Sequence, residues 1–530
     1  MTTVSTSPNS VSELLSVRSG LTPDDVVVRC AGEAVTAREL DDRVTRVARG
    51  LLAQGLQPGD RVGVLLPTSM PFVELIFACS RAGLVQVPLN AFLKGDFLRH
   101  QLVDSGAAAL VTDEDGLRTA VPLLDDTQIE HTITVESDYE QLRNHSGEEP
   151  LPSCEPSELA VLMYTSGTTG LPKACMLSHA YQINVARAYH EAGWVATNER
   201  VYTALPLYHA AGQLTALMTA LYAAGDIVFP DRFRATQFML DAAENEATLV
   251  LGVMAMATAI LASSPDNDPP FGVVPKAIWV PLDAANQKAF ADRFGCRVTS
   301  EGYGQSEATA ICLNPFDSGI RRPGTMGRPT SFVEVAVVDD NDAEVPIGEV
   351  GELVVRPRVP GAIFSGYWNR PDATVAAFRN LWYHTGDYGR RHDDGFFSFV
   401  DRKKDAMRRR GENVSSVELE RAIMAHASIR EAAVHAVPSQ LGEDDIKVCL
   451  VLADDPIDLP ELFEFFKEKL PYFAVPRYVE FLAELPKNGV GRVLKHKLRE
   501  EGVNSSTVDL ESLGLAVAKA DRRGRDSRGK

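Results

Sequence analysis

No two of the seven cysteines (Cys30, Cys79, Cys154, Cys175, Cys296, Cys312 and Cys449) form a CxxC pair, and their number is odd. This argues against a disulfide framework and a zinc-type ligand pattern, and predicts reduced core thiols in a cytoplasmic protein. Cations are in deficit: 53 Lys and Arg stand against 72 Asp and Glu, a formal net charge of −19 over 530 residues. Proteins that coat nucleic acid show the opposite balance, because phosphate contacts need cations. Any anion site here must be local, built from backbone N–H groups and a few placed cations. No uncharged apolar run approaches the ~20 residues of a membrane span. Met1–Ser10 lacks the cationic-then-apolar order of a signal peptide. No internal repeat is visible. What remains is an ordinary globular balance, 45% hydrophobic and 24% charged.

Helix and strand signals alternate along the first part of the chain. Thr36, Ala37, Arg38 and Glu39 read as a capping box. Leu40, Val44, Val47, Leu51 and Leu52 then share one helical face, and Gly55 can end the helix. Short apolar strands are expected at 62–66, 85–89 and 108–112, with an apolar helix around 72–79. This spacing predicts layered α/β structure with largely parallel sheets. From about Phe332 the texture changes to alternating strands with Asp-, Asn- and Gly-bearing turns, a β-rich subdomain. A compact α/β segment follows Asp401, and the tail from Asp521 carries five Lys or Arg against two Asp. That tail reads as a flexible end.

The strongest chemical signal is Tyr164-Thr165-Ser166-Gly167-Thr168-Thr169-Gly170-Leu171-Pro172-Lys173, directly after the continuous apolar strand 159–164. Two glycines let the backbone turn its N–H groups inward, hydroxyls add donors, and Lys173 adds a mobile charge. That combination suits a polyphosphate. It is not the GxxxxGK[ST] loop, because no Ser or Thr follows the lysine.

This segment resembles the phosphate-loop signature of the adenylate-forming superfamily: acyl-CoA synthetases, nonribosomal adenylation domains and luciferases. Further motifs occur in the matching order. They are Leu207-Tyr208-His209, Gly302-Tyr303-Gly304-Gln305-Ser306-Glu307, Gly351-Glu352-Leu353, His384-Thr385-Gly386-Asp387, Asp401-Arg402-Lys403-Lys404-Asp405 and Gly491-Arg492. The resemblance extends over roughly residues 25–500. It implies a large multi-subdomain N-terminal body over 1–400, a hinge at 401–404 pivoting on Lys404, a small mobile α+β lid over 405–507 and a tail over 508–530.

The resemblance also implies roles. Thr165, Ser166, Gly167, Thr168, Thr169 and Gly170 would cradle phosphates with Lys173. Tyr303, beside Gly304, would stack on adenine, which a flat aromatic does well. Ser306 would donate to the α-phosphate, and Glu307 would help bind Mg²⁺, a hard cation preferring oxygen ligands. Asp387 would accept from the ribose hydroxyls, and Arg402 would reach ribose or phosphate. Tyr208, His209, Trp279 and Gly302 would border the acid substrate. Adenylation follows: an oxyanion attacks the α-phosphorus of ATP, pyrophosphate leaves, and the protein positions groups and neutralises charge.

Two departures from the family pattern stand out. Arg492 occupies the place of the usual C-terminal catalytic lysine, with Lys487 and Lys495 as nearby substitutes. Ile278-Trp279-Val280 replaces a small-residue loop, and Trp279 is expected to fill space in the acyl pocket. The leading expectation is an ATP- and Mg²⁺-dependent ligase that joins a small or aromatic carboxylic acid to coenzyme A, as a monomer or homodimer. One alternative activates nitrite with ATP and diazotises an aryl amine in secondary metabolism. Another is a carboxylate–amine or carrier-protein ligase.

Overall fold

A computed structural model of the chain describes residues 8–165, 172–403, 407–409, 412–414, 416–438, 444–453, 457–470, 474–487, 491 and 493–517. The chain divides into two compact units. One spans Met1–Ala336, Val354–Tyr383 and His392–Ser398; the other spans Val337–Leu353, His384–Arg391 and Phe399–Lys530.

Two mixed but largely parallel sheets dominate the first unit. The six-stranded sheet runs His131–Thr134, Ala109–Thr112, Arg61–Leu65, Val85–Pro88, Leu159–Thr165, Lys173–Ser178. Its strands pair in parallel except the last two, which are antiparallel. The seven-stranded sheet runs Arg297–Thr299, Lys276–Trp279, Leu249–Gly252, Arg200–Tyr202, Asp226–Phe229, Val26–Cys30, Glu33–Thr36, with only the Val26–Cys30/Glu33–Thr36 pair antiparallel. Parallel strands need crossover helices on both faces, so they are buried on both sides. Val85–Pro88 and Ala109–Thr112 are accordingly buried at every residue.

The helices obey their local signals. Thr36 and Glu39 form the reciprocal capping box at the start of Ala37–Ala53, and Gly55 follows the end with φ +100°. The expected apolar helix runs Met70–Arg81, buried almost throughout, which is why its sequence shows no polar face. Smaller is the antiparallel sheet Gly302–Gln305, Ala308–Leu313, Arg328–Pro329. In the second unit, Ile429–Pro438, Asp444–Leu452, Tyr478–Phe481 and Val508–Asp509 form a four-stranded sheet. Helices Ser416–Ile423 and Leu459–Lys469 pack Leu419, Ile423, Leu462, Phe463 and Phe466 into its core. All seven cysteines are free, six of them buried. Among the described residues, no helix is long and apolar enough to cross a membrane.

Two buried histidines, one in each unit, make stability depend on acid. Burial pushes His179 and His435 each down from 6.5 to about 4. The unfolded chain therefore binds more protons than the folded one between those values. Stability is fully present above pH 6.5 and is lost as pH falls toward 4, by roughly 3 kcal/mol for each ring. Urea midpoints taken at pH 7 and pH 4.5 should show the fall, and His179→Gln should flatten part of it. Equal pH slopes in the variant and the parent would remove His179 from this account.

Candidate active site

The hydroxyl-rich loop leaves the central sheet at one point and returns beside it. Thr165 lies opposite Lys173 in the antiparallel register, and its hydroxyl donates to the Lys173 carbonyl at 3.3 Å. Ser166, Gly167, Thr168, Thr169 and Gly170 lie outside the described residues. The returning strand aims Lys173 at an aromatic face, with Nζ 4.3 Å from the ring centroid of Tyr367.

Glu307 stands between Gly302–Gln305 and Ala308–Leu313 in the sheet hairpin. Register slips between Tyr303 and Gln305, a bulge that turns the strand sharply. Glycine is required inside it: a Cβ on Gly304 would fall 2.0 Å from the Thr309 carbonyl oxygen. Gly302 is held for packing, since a Cβ there would meet Trp194 at 2.5 Å. Tyr303 is half-buried, and its hydroxyl accepts from the Gln305 amide at 3.3 Å. Ser306 is fixed through its carbonyl, which accepts from the buried Tyr181 hydroxyl at 2.8 Å. Glu307 itself is 9% exposed, and its Oε1 accepts from the Tyr367 hydroxyl at 2.8 Å. Cys175 adjoins the same carboxylate; burial first, then the Glu307 charge, pushes its thiol well up, so it stays protonated.

His209 precedes a π-helical stretch, Ala211–Met218, a geometry uncommon outside functional sites. Its ring is accessible to solvent, yet loss of hydration lowers its pKa from 6.5. Both hold when a side chain lies on the wall of a recess, open on one side and crowded by protein on the others. The Ala211 backbone N–H donates to Nδ1 at 3.2 Å, which leaves the proton of the neutral ring on Nε2. Tyr208, beside it, is half-buried, and burial raises its pKa.

Trp279 ends the strand Lys276–Trp279 with its ring fully buried. It lies 5.1 Å from Phe290 and 5.9 Å from Phe238, centroid to centroid, over Gly252 of the neighbouring strand. A Cβ on Gly252 would sit 2.3 Å from the indole.

In the second unit, Asp387 is buried, and its carboxylate lies 3.4 Å from Arg402 Nε. The Thr385 hydroxyl accepts from the Asp387 backbone N–H at 3.1 Å and donates to the Leu353 carbonyl at 2.7 Å. His384 stands 3.2 Å from Glu352. Lys404 and Arg492 lie outside the described residues. The two nearby lysines are engaged: Lys487 reaches Glu431 at 2.5 Å, and Lys495 reaches Glu420 at 2.7 Å and Ser416 at 2.5 Å.

Sequence reasoning missed Tyr367 and Cys175, which both reach Glu307. Tyr367 belongs to Gly366-Tyr367-Trp368, a run with no charged residue and no strand-length pattern to mark it. Cys175 was read only as a core thiol, which its burial fits. Among the described residues no cluster of three or more His, Cys, Asp or Glu could hold a metal by itself. One carboxylate supplemented by phosphate oxygens is the donor set Mg²⁺ commonly uses, so Glu307 fits such an ion when a nucleotide is bound.

The comparisons with known proteins agree with one another. Residues 16–368 match the family model of the AMP-binding enzyme, and residues 418–492 match the AMP-binding enzyme C-terminal domain. A feruloyl-CoA synthase from Amycolatopsis sp is 34% identical over 497 residues, covering 91% of this chain and 97% of that protein. A long-chain-fatty-acid–CoA ligase from Escherichia coli O6:H1 is 31% identical over 516 residues, covering 89% and 90%. Among solved structures, ATP-bound MatB from Rhodopseudomonas palustris superposes with a TM-score of 0.84 at 28% identity, covering 92% of this chain and 98% of that one. These relatives give no support to the nitrite-activating alternative. With two family models spanning both units and the signature motifs in order on the sheets just described, the chain belongs to the AMP-binding enzyme family and is an ATP-dependent, AMP-forming ligase.

Proposed function

We propose that this ligase activates an aromatic or small carboxylic acid as its acyl adenylate and transfers the acyl group to coenzyme A. The observation that carries the reading is the convergence of Lys173 and Glu307, opposite charges, on the single side chain of Tyr367 where the hydroxyl-rich loop rejoins the sheet. Such a pair serves a polyphosphate and its counter-ion. The similarity to a feruloyl-CoA synthase supports an aromatic acid.

In the first half-reaction a carboxylate oxygen of the acid attacks the α-phosphorus and the bond to pyrophosphate breaks. Glu307, with phosphate oxygens, would hold Mg²⁺, which would neutralise charge on the departing pyrophosphate. Lys173 screens the same phosphates as a point charge. Tyr303 stacks on the adenine, and Ser306 donates to the α-phosphate. Asp387 accepts from the ribose hydroxyls, with Arg402 beside it. His209, neutral and protonated on Nε2, donates a hydrogen bond to the acid or to the α-phosphate as charge develops there. In the second half-reaction the coenzyme A thiolate attacks the acyl carbon and AMP leaves.

Incubation with Mg²⁺, ATP and panels of acids, with and without coenzyme A, tests this directly. AMP, pyrophosphate and acyl-CoA are expected with an aromatic acid. AMP formation that ignores coenzyme A and requires nitrite plus an aryl amine would overturn it. For His209, Ala should lower the adenylation rate by about 10²-fold, the scale of one lost transition-state donor. Gln, which can donate from a similar place, should recover part of it. Since the ring's pKa lies below 6.5, its protonation should leave the rate level above that pH. A rate that rises through pH 7 in the parent and not in His209→Gln would instead make the ring a base.

A further inference from the structure

We propose that Tyr367 is a positioning residue that holds Lys173 and Glu307 apart and aims both at the nucleotide; this rests on the Mg²⁺ reading of Glu307 given above. Three independent sets of contacts meet on it. Its hydroxyl edge donates to Glu307 Oε1 at 2.8 Å. Its face receives the Lys173 ammonium at 4.3 Å. Its backbone is clamped as an extra strand against Lys173–Ser178: the Met176 N–H donates to the Gly366 carbonyl, the Ser365 N–H to the Met176 carbonyl and the Trp368 N–H to the Ala174 carbonyl, each at 2.9 Å. The Phe364 N–H then donates to the Glu307 carbonyl at 2.8 Å, so the same short segment also fixes the main chain of Glu307. Thr374 locks the tyrosine from behind, its hydroxyl accepting the Tyr367 backbone N–H at 2.9 Å.

The physical argument concerns two opposite charges in a poorly hydrated place. Left alone, an ammonium and a carboxylate in low dielectric collapse into contact, and that pair is then hard to open. Among the described residues neither Lys173 nor Glu307 takes part in an ion pair. A phenol satisfies both without joining them. Its O–H gives the carboxylate one charge-assisted hydrogen bond, and its ring face attracts the cation. The tyrosine is 8% exposed, and a phenol keeps its proton at neutral pH, so the hydroxyl is the donor in this bond. Cys175, in the strand beside it, forms the antiparallel bridge with Tyr367.

Two variants separate the functions of edge and face. Tyr367→Phe keeps the ring and loses the hydroxyl; Tyr367→Leu loses both. Binding of α,β-methylene-ATP to the full chain is measured by titration calorimetry across a series of Mg²⁺ concentrations. The Phe variant should need roughly tenfold more Mg²⁺ for half-maximal binding, the size of a lost hydrogen bond to a charged group. Its nucleotide affinity at saturating Mg²⁺ should stay within about twofold, because the cation–π contact survives. The Leu variant should lose roughly tenfold in nucleotide affinity even at saturating Mg²⁺. A Phe variant that melts like the parent and shows the parent's Mg²⁺ dependence, beside a Glu307→Gln variant whose dependence has moved, overturns the role of Tyr367. If Glu307→Gln also leaves the dependence unmoved, the metal reading of Glu307 fails and this proposal fails with it. Should the Leu variant not fold, the Phe variant decides alone.

Discussion

Glu307→Ala should reduce pyrophosphate exchange driven by the acid substrate by about 10²–10³-fold, the loss seen when one preorganised charge-stabilising group is removed from a reaction centre. The effect has two sources in the geometry. The carboxylate shares Tyr367 with Lys173 of the loop's return strand, so its loss would remove the proposed protein ligand for the counter-ion of the departing pyrophosphate. It also leaves the buried Tyr367 hydroxyl without its acceptor. Glu307→Gln separates the two, because the amide oxygen still accepts from Tyr367 while the charge is gone. Comparable losses in Ala and Gln assign the effect to the charge. Exchange that is unchanged in Glu307→Ala at limiting Mg²⁺ would refute the metal role.

The second large effect concerns folding. Trp279→Ala should destabilise the first unit by about 3–5 kcal/mol, the cost of truncating a fully buried large aromatic and leaving a cavity. The indole is the middle member of a run of rings, Phe233, Phe238, Trp279, Phe290 and Phe294, with centroids 4.7–5.9 Å apart. No residue can grow into the vacated space from Gly252, and the two helices that carry Phe238 and Phe290 cannot close over it without losing their own packing. A urea titration followed by tryptophan fluorescence and circular dichroism reads the change. Preserved stability with a wider range of accepted acids would place the indole on the substrate side instead.

That position shows where reading along the chain runs out. The family resemblance puts Trp279 next to the acyl pocket, and the structure places it at the end of the strand Lys276–Trp279, which pairs with Arg297–Thr299. Which way the ring points is another matter. Along a strand, successive side chains alternate between faces, and only the packing of the helices Phe238–Glu244 and Ala284–Phe294 shows which face is covered. The local motifs fared better. The capping box at Thr36 and Glu39 and the buried strand before the hydroxyl-rich loop are each specified by residues a few positions apart.

The sequence by itself determined the family, through motifs whose order and spacing survive any folding detail. It determined the layered α/β class, through periodicity, and the local character of the anion site, through a deficit of cations in a chain with a charge of −19. The tertiary structure decided the company that Glu307 keeps. Tyr367 lies 60 residues from Glu307 along the chain, and Lys173 lies farther still on the other side. They meet because the segment around Tyr367 adds itself as a strand beside Lys173–Ser178, an event governed by unpaired backbone groups at a sheet edge. No periodicity or composition encodes which distant segment will fill such an edge, so the residue that joins the two charges is visible only in the folded chain.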